Sequence, residues 1–104
     1  MKPIHRRPAA IEDMVRQVAY RREAAGEVSA AALVDEMREC LRSIVESPAI
    51  GSRRIDRLLG IADVQWKRVG KTKLWFWYVE AATHIDVIRL VSRSEEHTSE
   101  LQSH

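Results

Sequence analysis

A single cysteine, Cys40, excludes an intramolecular disulfide and any cysteine metal cluster. No apolar run approaches the roughly 20 residues of a membrane-spanning helix. The basic N-terminus MKPIHRRPAA is not followed by the apolar stretch of a signal peptide. A cytoplasmic protein without a membrane partner is the expectation. Gly-rich phosphate loops, nucleophile elbows and paired-carboxylate arrangements are lacking as well, so no cofactor is expected and no catalytic residue is assigned. His5 and His84 lie far apart in sequence without further ligands at metal spacing, which argues against a metal site. His84, in the turn AATH, is of the residue type that serves as a general base. A lone turn histidine is more commonly plain surface.

The last stretch, RSEEHTSELQSH, has almost nothing to bury: Leu101 is its one aliphatic residue. Its residues read like an in-frame translation of a sequencing-adapter oligonucleotide. Residues 1–92 are therefore expected to form a single domain, and 93–104 a non-native disordered tail. The whole chain has 17 Lys plus Arg against 15 Asp plus Glu, a net +2. Without the tail the balance is 16 against 12, or +4, since Arg93, Glu95, Glu96 and Glu100 fall away. A moderately basic domain suits an acidic or anionic partner.

What is present is a change of period along the chain. A short strand within Lys2 to Arg7, bracketed by Pro3 and Pro8, fits at best a sheet edge. Ile11, Met14, Val15 and Val18 then recur at helical spacing, and a helix to about Ala24 would place Glu12 and Asp13 in its first turn. Gly26 interrupts it. From Val28 a second helix shows Ala30, Leu33, Val34, Met37, Leu41, Ile44 and Val45 on one face, with Cys40 as a small core residue, and Pro48 ends it. Beyond the connector SPAIGSRRIDRLLGIAD the period becomes two. Val64 to Val69, Lys73 to Glu80 and Ile85 to Val91 read as strands of a meander joined by hairpin turns. The sheet has too many apolar side chains to leave both faces wet, so the helical hairpin must cover one. The order is β-α-α-β-β-β, an α+β domain with a helical hairpin packed on an antiparallel sheet.

Several strings in that order resemble the RelE/ParE superfamily of toxins from bacterial type II toxin–antitoxin modules. RRPAAIEDMVRQVAY resembles the family's entry into its first helix, and LRSIVESPAIGSRR its second-helix exit, with Ile44, Val45, Pro48, Ile50, Gly51, Arg53 and Arg54 at the matching positions. KLWFWYVE and IDVIRLVS resemble its last two strands. The resemblance covers about Lys2 to Ser92. It implies a ParE-like toxin that inhibits DNA gyrase and is neutralised by a cognate antitoxin, as a homodimer or a toxin–antitoxin hetero-oligomer. The alternative in the same superfamily is a RelE-like endoribonuclease that cuts mRNA on the ribosome.

Two groups of residues are the candidate contacts. Arg53, Arg54, Lys67, Arg68, Lys71, Lys73 and Arg89 supply positive charge for a nucleic acid or an acidic target. Strand alternation puts Trp75 and Trp77 on one face and Leu74, Phe76 and Tyr78 on the other. One set belongs under the helices, and the Trp pair, if exposed, becomes a candidate antitoxin contact.

Overall fold

A computed structural model describes residues 2–50 and 64–93. Pro8 opens the first helix, where its fixed φ suits the first helical position and its missing N–H would have had no partner anyway. The helix, α1, runs Pro8–Ala25. Gly26, at φ +91°, both ends it and begins the next: its N–H donates to Arg22 O at 2.9 Å, and its carbonyl accepts from Ala30 at 3.0 Å. That left-handed backbone favours glycine. The second helix, α2, runs Glu27–Glu46 and is followed by a turn of 3-10 helix at Pro48–Ile50.

The strands are β1 (Ile4–Arg6), β2 (Val64–Arg68), β3 (Leu74–Glu80) and β4 (Ile85–Ser92), in the spatial order β1-β4-β3-β2. β2, β3 and β4 form the expected antiparallel meander. β1 pairs with β4 in parallel, which makes the sheet mixed. The helical hairpin separates β1 from the meander and carries the chain across the sheet, the kind of long connection a parallel pair needs.

α2 buries Ala30, Leu33, Met37, Cys40, Leu41 and Ile44, the face its periodicity indicates. These pack on Phe76, Tyr78, Ile85, Val87 and Leu90 to form the main core. The Tyr78 hydroxyl donates to Pro48 O at 2.7 Å, which ties the end of α2 to the sheet. Burial pushes the Cys40 thiol up to about 11. Ellman's reagent is therefore expected to leave the folded protein unlabelled and to react fully only after denaturation. Rapid labelling in native buffer would show that α2 lifts from the sheet.

α1 departs from the sequence expectation. Its inward side is Ala10 and Asp13 with Met14 and Val18 half-buried, while Ile11 and Val15 are exposed. Because the helix begins at Pro8, Glu12 and Asp13 lie beyond its first turn and do not serve the helix dipole. The rotation has a cause on β4. Between Trp77 and Tyr78 the register slips: Arg89 opposes Trp77, Val87 opposes Tyr78, and Ile88 is the extra residue of a β-bulge. Asp13 is turned inward to meet it. Among the described residues no helix is long and apolar enough to cross a membrane.

Candidate functional site

The β2–β3 hairpin carries Lys67, Arg68, Lys71 and Lys73, all of the described basic candidates except Arg89. At its tip Gly70 has φ +52°, and the Glu36 carboxylate packs so close that a Cβ there would sit 2.4 Å from Oε2. The turn is held by Thr72, whose hydroxyl donates to Val69 O at 2.6 Å and accepts from the Leu74 N–H at 3.0 Å. Arg68 is part of the same turn. Its Nε donates to Thr72 O at 2.6 Å and its Nη2 to Lys71 O at 3.3 Å, so this guanidinium shapes the tip. Lys71 and Lys73 are exposed and Lys67 half-buried, and none has a carboxylate partner among the described residues. Arg53 and Arg54 lie outside the described residues.

The sheet face away from the helices holds the tryptophans. Trp66 meets Trp75 with centroids 5.1 Å apart and Trp77 edge-on at 6.3 Å. Val64, Val79 and Ile88 complete the cluster. Trp66 is buried; Trp75 and Trp77 keep part of their surface in solvent, as alternation predicts for the row opposite Phe76. The indole N–H groups of Trp66 and Trp77 have no hydrogen-bond partner among the described residues. Arg68 opposes Trp75 across the hairpin. Arg93 lies over the Trp66 ring at 4.3 Å, and its N–H extends the β3–β4 pairing to Lys73 O at 2.7 Å. Arg93 is the first residue of the stretch read above as a tail; residues 94–104 lie outside those described. The result is an aromatic platform with a cationic margin, which suits bases or an apolar protein surface edged by carboxylates.

Arg89 stands apart from this platform. Its Nε and Nη2 grip the Asp13 carboxylate at 2.6 and 3.0 Å, and the Leu90 N–H adds a bond at 3.1 Å. Arg16 reaches the same carboxylate at 3.1 Å. The bond from Arg89 is the main reason the Asp13 carboxyl is held below its ordinary range, against the opposing effect of burial. Asp13 was not among the residues singled out by sequence, since its partner lies 76 positions away and no local pattern marks the pair. His5 and His84 do come together, stacked with centroids 4.5 Å apart. No group of three or more His, Cys, Asp or Glu side chains able to hold a metal ion occurs among the described residues.

The architecture is that of the ParE-like fold: a helical hairpin on a four-stranded mixed sheet. A chain of the solved structure described as the chromosomal ParDE TA system from P. aeruginosa matches with a TM-score of 0.76 at 13% sequence identity. The match covers 90% of this chain and 98% of that one. No protein-family model and no curated protein sequence matches.

Proposed function

We propose that the chain is the toxin of a type II toxin–antitoxin module, a bacterial cytoplasmic protein that binds and inhibits DNA gyrase and is neutralised by a cognate antitoxin. The fold shared with a ParDE chain over 98% of its length supports the toxin reading. The choice of gyrase over mRNA rests on Arg89. A RelE-like nuclease needs cations free to meet charge developing at the scissile phosphate. Arg89 is instead committed through two hydrogen bonds to a buried carboxylate, and Arg68 is committed to its own turn. Releasing Arg89 would leave Asp13 with a weakened set of partners in a nearly dry site. Among the described candidate contacts Lys67, Lys71 and Lys73 are left open, and they suit association with an anionic or acidic surface.

Purified protein in a gyrase supercoiling assay, run beside a translating extract with labelled mRNA, tests this. Supercoiling is expected to fall while mRNA stays intact. Lys71→Glu with Lys73→Glu should weaken inhibition mainly by slowing association, with a marked dependence on salt. Codon-positioned mRNA cleavage with normal supercoiling would replace gyrase with the ribosome as target.

A further inference from the structure

We propose that His5 and His84 form a binding site for a divalent transition-metal cation of the zinc or nickel type, which takes one nitrogen from each ring and completes its coordination with water. Their separation in sequence argues against a site only until the strands pair. In the parallel register of β1 with β4, Ile4 opposes Ile85. The Ile85 N–H donates to Pro3 O at 2.9 Å, and the Ala81 N–H donates to His84 O at 2.8 Å and closes the turn, so both backbones are pinned. Ile85 is buried and Ile4 packs against the main core, which turns their neighbours His5 and His84 to the opposite face of the sheet. There the rings stack, with centroids 4.5 Å apart and planes 24° from parallel.

Imidazole is a ligand that suits zinc, nickel and copper, whereas magnesium is suited by oxygen. Tetrahedral zinc holds each nitrogen at about 2.0 to 2.1 Å, which places the two nitrogens roughly 3.3 Å from each other. The stacked rings reach that spacing by tipping together at one edge. His5 is exposed and His84 half-buried, so solvent leaves room for the movement. The Thr83 hydroxyl lies 3.3 Å from His84 Nδ1. By accepting from an Nδ1–H it leaves the Nε2 lone pair for the ion, and metal-bound histidines commonly have such an outer partner. The charges beside the pair are already matched. Lys2 is held by Glu80 and by Ala81 O, each at 2.8 Å, and Arg7 holds Asp86, the residue opposite His5, at 2.6 and 3.0 Å. Each of these two cations thus brings its own counter-charge to the approach of a dication. Asp86, so engaged, is not counted as a ligand, in keeping with the lack of any metal-holding group of three among the described residues. Two protein ligands, against the four of a closed structural site, make an exchangeable site that links β1 to the turn between β3 and β4.

The probes are zinc chloride and nickel chloride, with magnesium chloride as the control, titrated calorimetrically into the full chain after treatment with a chelator. Zinc and nickel are expected to bind at one shared site and magnesium to give no heat. Zinc should also raise the melting temperature, since an ion held only by the folded chain stabilises it by mass action. His5→Phe and His84→Phe each keep a ring for stacking and lose the nitrogens. Each should raise the Kd for zinc by about tenfold or more, given that even an outer partner is worth that much, and should abolish the rise in melting temperature. Melts without metal check that both variants are folded. The remaining histidines of the chain, His97 and His104, supply the counter-test. His97→Ala with His104→Ala is expected to leave the zinc affinity unchanged. Loss of binding in that variant would give the ion to those two residues and overturn the proposal. Undiminished binding in either phenylalanine variant, or no binding of zinc and nickel to the unmodified chain, would overturn it as well.

Discussion

Asp13→Ala is expected to lower stability by about 3 kcal/mol although the residue sits on a helix flanked by polar neighbours. Its carboxylate is 3% exposed and binds two guanidiniums and the Leu90 N–H. Removing it leaves that buried N–H unpaired, which costs roughly 1 to 3 kcal/mol, and discards charge-assisted bonds of similar size. Arg89 is half-exposed and can rehydrate, so little further penalty comes from its side. For a domain of this size the melting temperature should fall by more than about 10 °C. A loss below 1 kcal/mol would mean that the bulge holds itself in place without the carboxylate.

The same residue sets an acid limb. Because Arg89 holds the folded-state carboxyl of Asp13 below its ordinary value, the ionised form favours folding. That contribution is complete above about pH 5, where the unfolded carboxyl is ionised. It is lost as pH falls through the lower folded value. Asp13→Asn keeps the shape and removes the titration, so the gap between its melting temperature and that of the unmodified chain should shrink below about pH 4. A gap that widens in acid would reverse the assigned sign.

Asp13 also shows where reading a sequence stops. The face of α2 and the boundaries of β3 were legible because they repeat locally, at helical spacing in one case and period two in the other. α1 misled because Ile11, Met14, Val15 and Val18 make a better apolar row than the true inward side, which includes a carboxylate. Its orientation is set by a bulge in β4. Strict alternation from Ile85 and Val87 would put Arg89 in the core. The extra residue at Ile88 instead brings Leu90 inward and gives Arg89 to Asp13. A bulge and an ion pair 76 positions apart leave no periodic trace. The parallel partnership of β1 is hidden for a related reason: three residues carry too little pattern to choose a direction. Of the candidate contacts, the charges of Lys67, Lys71 and Lys73 were legible as available, whereas the commitments of Arg68 and Arg89 depend on partners folding supplies.

Neighbouring residues of β3 should differ sharply on truncation. Phe76 is 0% exposed beneath the helices, and Phe76→Ala is expected to cost about 3 to 5 kcal/mol through lost burial and the cavity left behind. A small domain has roughly 5 to 15 kcal/mol in all, so this variant should be partly unfolded near 37 °C. Trp75, one position away, points to the other face and retains contact with solvent. Trp75→Ala forfeits its packing on Trp66, worth roughly 0.5 to 1.5 kcal/mol beyond area, but opens no enclosed cavity. Urea titrations of the two variants should therefore give midpoints well apart, with Trp75→Ala close to the unmodified chain. That separation is what lets the aromatic row be a contact surface: a partner can use side chains that the fold does not need. Equal losses at the two positions would make the tryptophan face a second core and withdraw Trp75 and Trp77 as candidate antitoxin contacts.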